Sequence, residues 1–198
     1  MPRRRLREGG SSDGLPRRLL FLGVSRAVHL SVISARSAVQ SLVFNVVLVE
    51  PEIPPNTGNV GRLCLATRST LHLVGPLGFS IDDRQLKRAG LDYWDEVEVR
   101  EWASLDELRR ANGSARFFYL TTKAKQPYFE VTFQPKDFLV FGRETKGLPE
   151  SLLAAHPGDL LTIPMQGTRS LNLATAAGIV LFEAMRQVAA SGTDALQL

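Results

Sequence analysis

The chain has 198 residues, 44% hydrophobic and 22% charged, with a formal net charge of +4. That is the composition of an ordinary globular domain with a full-sized core, and no run reaches the roughly 18 apolar residues of a membrane span. A single cysteine, Cys64, excludes an intrachain disulfide and a cysteine-based zinc cluster, and the three histidines, His29, His72 and His156, are too scattered to suggest a metal site.

Residues 1–44 hold eight Arg and no Lys against Glu8 and Asp13, so they carry +6 and the remainder carries −2. The segment is Arg-rich, Ser-rich and poor in acids, and is expected to lie outside the folded core. Three readings compete for it: an organelle transit peptide, a stretch upstream of the true start, and an RNA-binding arm. The domain itself is expected over 45–190, with a tail at 191–198. Because that domain is not basic overall, any nucleic acid must be held by local patches.

From residue 45 strands and helices alternate. "NVVLVE" (45–50) is a short β-branched run, as a buried strand requires. The prolines Pro51, Pro54 and Pro55 are expected to stiffen a loop, with Asn56 or Thr57 capping a helix over 58–68. On that helix Asn59 and Arg62 share one face and Val60 and Leu63 another. "TLHLVG" (70–75) is a second strand, 82–90 is helical in pattern, and "EVEVREW" (96–102) alternates as an exposed strand does. A helix over 104–112 opens on Ser104 and an acidic first turn. Strands over 116–122 and 137–142, a short helix over 148–156, a strand over 159–164 and a last helix over 171–190 complete the pattern. Ser170 or Asn172 is the natural N-cap of that last helix. The alternation predicts an α/β fold with a largely parallel sheet flanked by helices.

In such sheets ligands bind beyond the carboxyl ends of the strands. Four of those ends carry loop-shaping and hydrogen-bonding residues: "PEIPPNTGNVGR", "TTK", "GRETKGLP" and "PMQGTRSLNLA". No phosphate-binding loop, dinucleotide fingerprint or nucleophile elbow is present. Phosphate, hydride and acyl transfer are therefore poorly supported.

Together, "GNVGRLC" (58–64), "FGRETKGLP" (141–149) and "IPMQGTRSLNLATA" (163–176) resemble, in order, the three motifs of the SPOUT superfamily of RNA methyltransferases, in its SpoU branch. "EPEIPPNTGN" and "LKRAGLDYW" are similar to the members that methylate the wobble ribose, position 34, of tRNA. The resemblance covers 45 to about 188. It implies S-adenosylmethionine as methyl donor without a metal, a C-terminal trefoil knot, a homodimer, and the tRNA anticodon stem-loop as partner. It places the cofactor near Leu120, Gly142, Ile163 and Ser170, and makes Arg62 the catalytic arginine, with Asn59, Glu144 and Asn172 holding the site. A guanidinium is a poor base, so Arg62 is expected to orient the ribose or a phosphate and to stabilise the developing alkoxide. Arg84, Lys87 and Arg88, on one helical face ahead of Tyr93 and Trp94, are the expected RNA contacts. The alternatives are a methyltransferase for another tRNA or ribosomal RNA site, and a knotted RNA-binding protein without catalysis. The expected location is cytoplasmic, or an organelle if residues 1–44 are a transit peptide. The sequence departs from the motifs at Gly61, where a larger apolar residue is common, at Ala174, where Ser is common, and in a loop before Ser170 that is about one residue short.

Overall fold

Six strands form one sheet in the order β3-β2-β1-β5-β4-β6, and every neighbouring pair is parallel. The computed structural model describes residues 44–79 and 93–191. In chain order the elements are β1 (Asn45–Val49), α1 (Pro54–Thr67), β2 (Thr70–Val74), β3 (Val99–Trp102), α2 (Leu105–Ala111), β4 (Phe117–Leu120), β5 (Phe138–Phe141), α3 (Glu150–Ala155), β6 (Leu160–Leu161) and α4 (Leu173–Ala190). The expected helix over 82–90, with Arg84, Lys87 and Arg88, lies outside the described residues.

β1 sits mid-sheet, and its side chains alternate between two apolar layers, which is why its sequence is apolar almost without interruption. Val46 and Leu48 join Val60 and Cys64 of α1 and Ala177 and Leu181 of α4 on one face. Val47 and Val49 join Leu108 of α2 and Leu153 of α3 on the other. Truncating a fully buried leucine such as Leu48 or Leu139 to alanine removes about 2–5 kcal/mol. In the first layer, burial pushes the Cys64 thiol up to about 12, so it packs as a small apolar group.

The helix ends follow local chemistry. At α2, Ser104 accepts from the Glu107 backbone N–H (3.2 Å) while the Glu107 carboxylate accepts from Ala103 N–H (3.0 Å). This reciprocal pair satisfies one open donor of the helix's first turn and the N–H of the residue just ahead of its cap. α4 has the length and, at a mean hydropathy of 1.3, the composition of a membrane span. Yet it packs on α1 and β5, buries Val180, Leu181 and Ala184 completely, and carries the Glu183–Arg186 ion pair.

Two expectations are corrected. α1 begins at Pro54, with both prolines in its first turn, rather than at 58. The first-turn N–H groups have no intrahelical acceptor, so proline loses nothing there and its fixed φ suits the helix. The strand expected over 159–164 shrinks to Leu160–Leu161, because Pro157–Asp159 form a 3-10 turn and Pro164 has no N–H to offer a neighbour.

A polar chain crosses the sheet among the apolar residues. The Trp102 indole donates to His72 Nδ1 (3.0 Å), and His72 Nε2 meets Asn45 Oδ1 (3.0 Å). Indole is a donor only, so the imidazole proton sits on Nε2 and His72 is neutral. Burial, with help from the Arg100 charge, lowers the His72 pKa to about 4.

Candidate active site

The carboxyl ends of β4, β5 and β6 and the start of α4 open onto one cleft of about 800 Å³. Leu120 closes β4, Gly142 follows β5, Ile163 follows β6, and Ser170 precedes α4; all four line the cleft, as do Glu144 and Asn172. Six positions singled out from the sequence thus meet at one place.

The loop after β5 is pinched. A Cβ on Gly142 would stand 2.2 Å from the Gly147 carbonyl carbon and 2.3 Å from Leu148 N, so only glycine fits. Gly147 turns the loop at φ 68° and donates its N–H to Arg143 O (2.8 Å). The hairpin aims Glu144 at the start of α1.

There Glu144 does the work of a helix cap. The N-cap residue, Ile53, has no side-chain cap. Glu144 Oε2 accepts from Glu52 N–H (2.9 Å), and Oε1 accepts from Ile53 N–H (3.3 Å) and from Asn56 Nδ2 (3.0 Å). The carboxylate faces the positive end of the helix dipole, where negative charge is favoured. In return, Glu52 accepts from the Thr145 N–H (3.1 Å) and hydroxyl (2.7 Å), and Arg143 pairs with Glu50. Glu50 itself has a φ of 51°, the left-handed bend by which the chain leaves β1.

Asn172 caps α4 by accepting from Ala174 N–H (2.9 Å) and Thr175 N–H (3.3 Å). Its amide nitrogen donates to Asn56 Oδ1 (2.9 Å), and Asn56 donates onward to Glu144. Asn56 is 6% exposed and ties the second and third motif segments to the first turn of α1, the helix that carries the first motif. The sequence offered it as an N-cap; its partners are instead 88 and 116 residues away. The proline-fixed turn just before it was the one local hint that its side chain would be held in place.

Asn59 and Arg62 are exposed on α1, opposite the buried Val60, as the helical spacing required. They are not among the residues lining the cleft. By helix geometry Arg62 lies about 9 Å along the axis and a third of a turn around from Asn56. Its guanidinium stands 4.4 Å from the centre of the Tyr93 ring, and the Tyr93 hydroxyl donates to Gly58 O (2.9 Å). Trp94 lies flush on Gly61, whose added Cβ would come within 2.6 Å of Cζ3. That contact explains Gly61: the indole occupies the space a larger residue needs.

The cleft walls suit an adenosyl group. Leu120, Ile163, Leu148 and Leu173 offer apolar surface for a flat base, and strand-end backbone and Thr121 offer polar contacts for a ribose and an amino acid.

A parallel α/β sheet with such a motif-built cleft defines a class, and residues 43–182 match the SpoU rRNA Methylase family. The chain belongs to that family. A Bacillus subtilis protein provisionally named tRNA (cytidine(34)-2'-O)-methyltransferase is 50% identical to it over 150 residues, 74% of this chain and 94% of its own. A solved structure giving structural insights into the 2-OH methylation of C/U34 on tRNA is similar at 43% identity and a TM-score of 0.71, over 76% of this chain and 99% of its own. An AdoMet-bound rRNA methyltransferase from Sinorhizobium meliloti is similar at 26% identity and a TM-score of 0.65, over 74% of this chain and 57% of its own.

Proposed function

We propose that this chain is an S-adenosylmethionine-dependent methyltransferase that methylates the 2′-hydroxyl of the wobble nucleotide, position 34, of tRNA. The observation that carries the reading is the meeting of the second and third motif segments at one cleft, tied to the start of α1, the helix of the first, through the Asn172–Asn56–Glu144 chain. The substrate comes from the relatives named for methylation at position 34.

The bound cofactor supplies an activated methyl group. The chain's own part is to hold and align. Backbone near Leu120, Gly142 and Ile163, with Ser170, grips the cofactor, while Glu144 and Asn172 keep α1 and α4 in register with it. Arg62 orients the ribose or a neighbouring phosphate and stabilises charge developing on the 2′-oxygen. Asn59 supports it from one turn earlier on the same helix. Because Arg62 stands outside the cleft wall, the acceptor strand has to span both surfaces or a second copy of the chain has to complete the site. A homodimer fits this, and Phe182, 55% exposed on α4, offers an apolar contact for it.

A C-terminal trefoil knot belongs to the same reading. Its support is the return of the chain from β6, at the sheet edge, to α4 against α1 and β5, with residues 169–173 and 142–148 lining one cleft. The anticodon stem-loop is the part of the tRNA engaged.

The test incubates the purified chain with S-adenosylmethionine and tRNA transcripts and maps 2′-O-methyl groups. Methylation at position 34 is expected. Methylation elsewhere selects the alternative substrate, and none with any tRNA or ribosomal RNA defeats the enzyme reading. Arg62→Ala is expected to abolish turnover while cofactor affinity by calorimetry stays within about threefold (below 1 kcal/mol). Near-normal turnover refutes its role.

A further inference from the structure

Residues 45–198 carry a net charge of −2, yet four cations line this one cleft: Lys123, Arg143, Lys146 and Arg169. Two are neutralised where they stand, Lys123 by Glu150 and Arg143 by Glu50. The carboxylate of the same lining, Glu144, is turned away from them onto the N-terminus of α1 and Asn56. Lys146 and Arg169 remain, both exposed and neither in an ion pair among the described residues. They come from different segments. Lys146 sits in the pinched hairpin after β5, held through Glu144 and Thr145 to residues 52–56. Arg169 sits between Gly167, at φ 85°, and the Asn172 cap of α4.

A pair of exposed cations without ion-pair partners among the described residues, beside a cofactor cleft, is placed to hold an anionic ligand. S-adenosylmethionine carries one net positive charge, from a sulfonium, an ammonium and a carboxylate, so it does not account for two. A phosphodiester backbone does, since each phosphate brings a full negative charge and releases counterions when paired. The setting also favours a fixed contact over a mobile one: the hairpin carrying Lys146 is anchored by hydrogen bonds, so little order remains to be gained on binding.

We propose that Lys146 and Arg169 form a phosphate clamp at the cleft that grips the tRNA backbone beside the methylated ribose. The inference rests on the reading of the chain as a tRNA methyltransferase and assigns RNA contacts to the motif loops themselves, apart from Arg84, Lys87 and Arg88. Contacts of this kind position the strand and carry no base sequence.

The experiment measures tRNA binding and KM for Lys146→Gln and Arg169→Gln as a function of salt, with S-adenosylmethionine affinity by calorimetry in parallel. Each substitution is expected to lower the slope of log K against log salt by about 1 and to raise KM for tRNA about fivefold near 0.15 M salt. Cofactor affinity is expected to hold within about twofold, less than 0.5 kcal/mol. Lys146→Arg and Arg169→Lys are expected to restore the slope. Lys125→Gln, an exposed cation off the cleft, is expected to leave it unchanged. Wild-type slopes in both neutral variants overturn the clamp while methylation of position 34 stands. So does an equal fall in Lys125→Gln, or a loss confined to cofactor affinity. A wild-type chain that methylates no RNA fails on the underlying reading instead.

Discussion

Replacing Glu144 by glutamine keeps the size of the side chain and removes its charge. The carboxylate accepts three N–H bonds, from Glu52, Ile53 and Asn56. Glutamine offers one acceptor oxygen and turns an NH2 toward at least one of those donors. Hydrogen bonds to a charged group contribute about 1.5–3 kcal/mol and neutral ones about 0.5–1.5. Negative charge at a helix N-terminus adds about 0.3–1 kcal/mol. Glu144 is half-buried, so water recovers part of the loss, and the expected net cost is about 2–3 kcal/mol. Urea unfolding followed by circular dichroism is expected to show that loss with an unchanged m-value, and Tm is expected to fall by about 5–10 °C. Glu150→Gln, which removes the exposed pair with Lys123 and an exposed first-turn charge of α3, serves as comparison and is expected to cost less than about 1 kcal/mol. If Glu144→Gln costs no more than Glu150→Gln, the carboxylate is not what holds α1 to the β5 loop, and the capping argument fails.

His72 makes the fold acid-sensitive. Its folded-state pKa of about 4 lies below its ordinary 6.5, so the unfolded chain binds a proton that the folded chain refuses. Its contribution is therefore whole above pH 6.5 and declines as pH falls toward 4. The decline is about 2.5 kcal/mol at pH 4.5, measured as the difference in urea stability between wild type and His72→Gln relative to pH 7; an equal pH response in both chains refutes it. Gly61→Ala gains about 1 kcal/mol of helix propensity but drives a methyl into Trp94. The net expectation is a loss of about 1–2 kcal/mol with altered tryptophan emission; a more stable variant with unchanged emission contradicts the packing.

The strand ends were legible because their signal is local. A glycine at a strand end and an N-capping asparagine each declare themselves within a few residues, which is how Gly142 and Asn172 stood out, whereas Leu120 and Ile163 were named through the resemblance of the motifs around them. Asn56 was not, because an amide near a helix start looks the same whether it binds the adjacent backbone or a carboxylate 88 residues on. Tyr93 and Trp94 were read as neighbours of an RNA-binding face, yet they pack on α1, and nothing around them in sequence points to Gly61 as the seat of the indole. The exposed face shared by Asn59 and Arg62 followed from a 3.6-residue period. Their distance from the cleft depends on how α1 lies across the sheet, which no period encodes.

The central place of β1 has a consequence for how this chain is made. One flank of β1 is covered soon, by β2, but the other waits for β5, whose Phe138 pairs with Asn45 roughly 90 residues later. At bacterial or eukaryotic elongation rates that interval is about 5–20 s. Throughout it an apolar strand offers open backbone donors and acceptors to any passing strand, the condition under which nascent chains stick to one another. The cleft cannot exist before Asn172 arrives later still, so the emerging polypeptide is long aggregation-prone before it is competent.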